Sequence, residues 1–335
     1  MDSNLGQSQT SRRGLLLVSP FFLWGTAMVA MKGAMPLTTP FFLAGIRLLP
    51  AGILILVAAL WMGRPQPSTW RAWLWIFAFA LIDGALFQGF LAQGLARTGA
   101  GLGSVMIDSQ PLAVAVMARF LFGEQVGLIG WIGLFFGLVG ISLLGIPDEW
   151  ITALLAGQTD WLSNGTLLDA LLHRGEWLML LAALSMAVGT VMIRYVCQHA
   201  DPIVATGWHM VIGGVPLFGL SWMGETHQWQ SLGLSDWTAI AYATILGSAL
   251  AYGVFFYLAS QGNLTSLSAL TFLTPVFALL FGNIFLGETL SNLQWLGVGF
   301  TLVSIYCINQ REFLMTNLQQ GLASFRSASP SDTTP

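Results

Sequence analysis

Charge is what this chain has least of. Of its 335 residues only 8% are Asp, Glu, Lys or Arg, against roughly 25% in soluble domains, while 55% are hydrophobic. Polar groups that scarce cannot cover a water-facing surface, so the chain is solvated by lipid. Cysteine is nearly missing: Cys197 and Cys307 fit no metal site, and a disulfide between them is not expected. No Gly-x-x-x-x-Gly-Lys-Ser/Thr loop is present to cradle ATP, which argues against primary pumping by this chain alone. His-Glu-x-x-His, Gly-x-Ser-x-Gly and Cys-x-x-Cys are absent too, and His173, His199, His209 and His227 are scattered. No catalytic residue, metal or cofactor is therefore expected, and a membrane enzyme acting on lipids is only a secondary reading. Gly99-Ala100-Gly101-Leu102-Gly103 imitates a dinucleotide loop but precedes a membrane helix and follows no strand. Without a basic patch, nucleic acid is not an expected partner.

What is present is a succession of long apolar runs. A bilayer core of roughly 30 Å needs about 20 helical residues. Ten such stretches are read at 14–34, 40–62, 71–94, 101–122, 127–146, 176–197, 203–223, 236–259, 265–286 and 291–309. A closed barrel would show short alternating segments instead. The first stretch follows Arg12 and Arg13, as a signal peptide would, but has no convincing cleavage site and is kept as a helix. With the first helix starting in the cytoplasm, Arg12, Arg13, Arg64, Arg71, Arg119, Arg194, Arg311 and Arg326 fall inside, and Lys32, Arg97 and Arg174 outside. That bias puts both termini in the cytoplasm. The net charge of −3 says little about partners.

The chain also repeats itself. A shift of 164 lays Ser104 on Ser268, Pro111 on Pro275, Gly123-Glu124 on Gly287-Glu288, Trp131 on Trp295 and Gly133 on Gly297. A shift of 162 lays Lys32 on Arg194, Pro40 on Pro202, Gly45 on Gly207, Arg47 on His209 and Gly52 on Gly214. Pro, Trp and Glu are scarce enough for these matches to carry weight. The division expected is a cytoplasmic tail (1–13), an N-terminal five-helix repeat (14–146), an external connection (147–175), a C-terminal five-helix repeat (176–310) and a largely disordered cytoplasmic tail (311–335). The connection carries Trp and Leu in a pattern that suits an interfacial helix, with a plain linker as the alternative, and a weak Asn164-Gly165-Thr166 sequon. Five helices per copy force the second copy to enter from the opposite side. The fold class expected is thus an all-α integral membrane protein of ten transmembrane helices in two inverted repeats, an architecture that can rock about a shared site.

Charges inside the bilayer are expensive, so Arg47, Asp83, Asp108 and Arg119 are the leading functional residues. Asp83 or Asp108 could exchange a proton in a transport cycle or form a static pair with Arg. His209 offers a proton relay or a packing role. Arg47 and Lys32 suit a substrate carboxylate or phosphate, although Lys32 near a helix end also suits snorkelling. Trp24, Phe87, Tyr252, Phe256 and Phe272 are candidate cavity walls. Pro111 and Pro275 are candidate kinks or gating points in helices four and nine. Glu124 and Glu288 suit the N-termini of the helices that follow them. The glycine spacing of Gly133 and Gly137, matched by Gly297 and Thr301, permits close helix contact within one chain or in a homodimer.

Trp24-Gly25 and Lys32, Pro40 with Arg47, Ala100 to Pro111, Gly123-Glu124 before a Gly-rich helix, and the repeated Pro275, Gly287-Glu288 and Gly297 together resemble the EamA-type members of the drug/metabolite transporter superfamily. The likeness runs from Trp24 to about Asn309 and departs at Met186-Ala187, where the family often has a second Trp. It implies secondary transport, often export, of small metabolites or drugs through a central cavity in a cell (inner or plasma) membrane. Proton coupling is open, as is exchange of anionic solutes such as sugar phosphates. The expected partners are a small-molecule substrate and the lipid bilayer.

Overall fold

In lipid every backbone N–H and C=O must find its partner within the protein, and apolar runs of this length meet that demand as helices. The computed structural model describes residues 2–32, 34–97, 107–145, 148, 151–152, 156–157, 175–286, 291–311 and 314, and contains no strand among them. Helix α1 is Asp2–Lys32, α2 is Pro40–Trp61, and α3 runs through Trp70–Phe79, a π-helical stretch Ala80–Phe87, and Gln88–Leu95. Then come α4 (Gln110–Phe122), α5 (Gly127–Gly145), α6 (Glu176–Val196) and α7 (Pro202–Gly224). Helix α8 joins Leu234–Thr244, a second π-helical stretch Ile245–Leu250, and Ala251–Gln261. Helix α9 joins Leu264–Ala269, a 3-10 turn Leu270–Phe272, and Leu273–Leu286; α10 is Asn292–Asn309. Among the described residues seven helices are long and apolar enough to cross a membrane, and Gly14–Ala30 and Gln110–Phe122 are shorter apolar helices.

Several expectations change here. Helix α1 begins at Asp2, well before the apolar run. Helix α4 is described only from Gln110, which places Pro111 in its first turn. There its missing N–H costs nothing, and a two-residue turn at Asp108 and Ser109 separates it from helical Ile107, so the helical path is interrupted just before the proline. Pro275 is the third residue of the α-helical segment that follows the 3-10 turn, in a first turn where a missing N–H costs little. Arg119 is exposed in the last turn of α4, where a cation suits the helix dipole, and is not a buried charge. Ser104, Gly287-Glu288, the sequon, most of 147–175, the tail beyond 314 and the Lys32 side chain lie outside the described residues.

Helices α2 and α7 pack tightly, as do α5 and α10. Glycines allow it, since a Cβ on Gly52 would stand 2.7 Å from the Gly207 carbonyl oxygen, and one on Gly140 only 2.5 Å from Thr301 Oγ1. Contacts follow a descending register: Gly45 faces Phe218, Gly214 faces Leu49, Gly52 faces Val211, and Gly207 faces Leu56. The two helices therefore run antiparallel. So do α5 and α10, where Gly133 meets Ile308, Gly137 meets Ser304, Gly140 meets Thr301, and Gly297 meets Leu144. These contacts also come in matched sets. The shift of 162 turns Gly45–Phe218 into Gly207–Leu56, and Gly52–Val211 into Gly214–Leu49; the shift of 164 turns Gly133–Ile308 into Gly297–Leu144. The Gly133 and Gly297 spacings thus serve contact within one chain.

Carboxylates tie the helix ends together. Glu225, just after α7, accepts from the backbone N–H of Phe41 and Phe42 (both 2.9 Å) and from Thr39 Oγ1 (2.7 Å) at the start of α2. Asp201 caps its own α7 through Ile203 and Val204 and meets Arg64 at 3.2 Å beyond the far end of α2. Glu124 does not cap the helix that follows it. It accepts from Leu264 N (3.0 Å), Thr265 N (3.2 Å) and Thr265 Oγ1 (2.9 Å) at the start of α9, and from Arg194 (3.0 Å) at the end of α6. Glu124→Ala removes every one of these acceptors from a largely buried spot, so a loss of about 1–3 kcal/mol is expected. Thermal unfolding of the purified full chain measures it.

Candidate functional site

The aromatic core links the two halves. Trp24 of α1 lies 5.0 Å from Tyr252 of α8, Tyr252 6.0 Å from Phe256, and Phe256 4.9 Å from Phe79 of α3 (ring centroids). Phe79 packs on the His209 ring of α7 at 4.2 Å, with Phe256 on another side at 5.4 Å. Here His209 Nε2 comes within 3.2 Å of Asp83 Oδ2, both side chains being sealed from solvent. The small residues Gly84 and Gly189 create the space: a Cβ on Gly189 of α6 would strike Asp83, and one on Gly84 would meet the His209 carbonyl oxygen. The separation is that of an ion pair, but the groups are not aligned as a hydrogen bond, and neither Asp83 oxygen has a hydrogen-bond partner. His209 Nδ1 faces the Thr206 carbonyl oxygen at 2.6 Å. Because a carbonyl only accepts, Nδ1 carries its hydrogen and Nε2 is the position that takes or gives a proton.

A second centre lies at the seam. Gln88 Nε2 donates to the Tyr252 hydroxyl at 2.9 Å, both residues buried, and the two stand 164 positions apart. The shift of 164 that aligns the two halves of the sequence lays one on the other, and here they touch. Beside them Arg47 of α2 donates from Nη2 to Ser248 Oγ of α8 at 3.3 Å, and its buried Nε has no hydrogen-bond partner. Above Arg47 and Gln88 lies a cavity of about 350 Å³, walled by Leu43, Ala44, Leu91 and Ala92. Its mouth is formed by Met35, Pro36, Thr38 and Thr39 of the α1–α2 connection and by Ala96 at the end of α3. The end of the bundle holding Glu124, Arg194, Arg64 and Asp201 is the opposite one.

A half-buried arginine thus lines a cavity, and a buried Asp–His pair lies in the core of the same helical chain. The model of the EamA-like transporter family matches this chain twice, over residues 13–146 and 173–310. The chain belongs to the EamA-like transporter family. An uncharacterized transporter of Synechocystis sp. is 61% identical over 92% of this chain and 93% of that protein. A chloroplastic WAT1-related protein of Arabidopsis thaliana is 53% identical over 88% of this chain and 68% of its own length. Protein PecM of Dickeya dadantii is 27% identical, with 85% and 88% covered. A solved structure titled only as a crystal structure of protein superposes with a TM-score of 0.70 at 18% identity, over 88% of this chain and 96% of that one, which speaks for the fold alone.

Within this EamA chain the residues singled out from sequence divide into groups. Trp24, Tyr252, Phe256, Asp83 and His209 come together with Gln88 and Arg47 in and around the main core, to which Phe87 also belongs. Phe272 is buried in a separate core with Ala115, Leu134, Ile141 and Ile308, and of the expected cavity residues Arg47 lines the cavity while Trp24, Phe87, Tyr252, Phe256 and Phe272 do not. Asp108 is buried just ahead of α4. Cys197 and Cys307 are free thiols. Sequence reasoning passed over Gln88 and Ser248, yet the same shift of 164 that pairs Asp83 with Gly247 pairs Gln88 with Tyr252 and Gly84 with Ser248.

Proposed function

We propose that this protein is a secondary active transporter that exports small metabolites by alternating access, with ten transmembrane helices arranged as two inverted five-helix repeats. The observation that carries the reading is the Gln88–Tyr252 hydrogen bond, which joins equivalent residues of the two halves at the base of the cavity. Equivalent helices packed antiparallel, α2 on α7 and α5 on α10, support inversion, because two helices that correspond in the repeats then run opposite ways. Both termini are cytoplasmic in this reading, as the arginine bias favours, and the membrane is the inner or plasma membrane. The cavity mouth then faces outward, while Glu124 and Arg194 hold the cytoplasmic end shut. Transport is favoured over lipid chemistry because three carboxylates near the bundle ends, Glu124, Asp201 and Glu225, are taken up by helix N-termini.

Proton linkage is assigned to Asp83 and His209. An isolated buried carboxylate is costly, so the pair is stable either as carboxylate and imidazolium or as two neutral groups, and each form holds one proton beyond that on Nδ1. The test is uptake and counterflow of a metabolite panel by the full chain in proteoliposomes with an imposed pH gradient. Wild type should move at least one metabolite with the gradient; Asp83→Asn should retain counterflow and lose the gradient dependence. A panel that wild type leaves unmoved counts against transport, and unchanged gradient dependence in Asp83→Asn counts against this coupling site.

A further inference from the structure

The two halves place a basic side chain at matching positions, and only one of the two finds a carboxylate. The shift of 162 exchanges Arg47 with His209, and the shift of 164 exchanges Asp83-Gly84 with Gly247-Ser248. On one side of the seam, His209 of α7 meets the π-helical stretch of α3 and finds Asp83 at 3.2 Å. On the other, Arg47 of α2 meets the π-helical stretch of α8 and finds only the Ser248 hydroxyl at 3.3 Å. Glycine, Gly247, stands where the carboxylate would be. No carboxylate lies within ion-pairing distance of Arg47 among the described residues, its Nε is buried without a hydrogen-bond partner, and it lines the 350 Å³ cavity.

We propose that the vacant half of this mirrored arrangement is a substrate site, in which the carboxylate of a small amphipathic molecule pairs with Arg47 much as Asp83 pairs with His209. The inference rests on the transporter reading and gives its substrate class. A guanidinium presents a fork of N–H donors matched to the two oxygens of a carboxylate. One cation favours a singly charged head over a phosphate, since Arg47 is the one basic residue lining the cavity among the described residues. Leu43, Ala44, Leu91 and Ala92 supply an apolar wall for the rest of the molecule, and Gln88 at 3% exposure is a further polar group at the floor. The volume lies at the lower end of small-molecule pockets, about 300 to 1,000 Å³.

The experiment uses four probes with one body and different heads: hexanoate, hexanamide, hexylamine and hexyl phosphate. Each is titrated against the detergent-purified full chain while thermal unfolding is followed. Hexanoate should raise the midpoint of wild type, with hexanamide and hexylamine inert and hexyl phosphate weaker. Arg47→Gln should bind hexanoate at least tenfold more weakly. Ser248→Asp, which places an internal carboxylate beside Arg47, should also abolish the response, whereas Ser248→Asn should preserve it. This second pair covers the case in which Arg47→Gln does not fold. No stabilisation by hexanoate, an equal response to the amide, amine or phosphate, or unchanged binding in Ser248→Asp would overturn the proposal. Because the readout is binding, hexanoate binding by a chain that moves nothing in proteoliposomes would refute the transporter reading and leave the Arg47 site standing.

Discussion

His209→Leu is expected to destabilise the folded chain by about 3–5 kcal/mol, because it strips a buried carboxylate of its one partner. Asp83 has no exposed side-chain surface, and neither oxygen is hydrogen bonded. Asp83→Asn in the same chain removes the stranded charge, so the double variant should recover at least half of the loss. The comparison is a double-mutant cycle on the purified protein, read by denaturant or thermal unfolding. Losses that simply add would show that the two side chains do not form an energetic pair. Strong recovery would show that Asp83 is ionised or proton-sharing in the native fold, which the coupling role requires.

The second large effect is steric. Gly52→Leu and Gly140→Leu should each cost about 3 kcal/mol or more, beyond what overpacking usually costs, because the first obstacles include backbone that cannot rotate away. For Gly52 these are the Gly207 carbonyl oxygen at 2.7 Å and the Val211 nitrogen at 2.8 Å; for Gly140, the Thr301 nitrogen at 2.8 Å and the Gly297 carbonyl oxygen at 2.9 Å. Gly219→Leu is the control, since nothing stands within 4 Å of its Cβ position. Wild-type unfolding midpoints in both interface variants would contradict the packing described for α2 with α7 and α5 with α10.

These outcomes also mark where one-dimensional reasoning stops. Lipid solvation and duplication are legible because they depend on composition and on scarce residues recurring at a fixed spacing. Arg47, Asp83 and His209 stand out for the same kind of reason, as expensive residues in apolar runs. That Asp83 meets His209 is not legible, since the encounter needs α3, α6 and α7 to converge on Gly84 and Gly189. Sequence alone assigns Glu124 to the N-terminus of the helix after it, because local rules look a few residues along the chain. Its acceptors face Leu264 and Thr265, 140 and 141 positions away. The two π-helical stretches, Ala80–Phe87 and Ile245–Leu250, are not legible in the hydrophobic pattern, which reads as continuous helix through both.

A bond between symmetry mates has one more property. In the inverted arrangement proposed above, any point on the axis relating the halves stays put when they trade postures, and the Gln88–Tyr252 bond would straddle that line. A covalent tether engineered there would leave the molecule free to swing, while one joining Glu124 to the start of α9 would arrest it in a single pose.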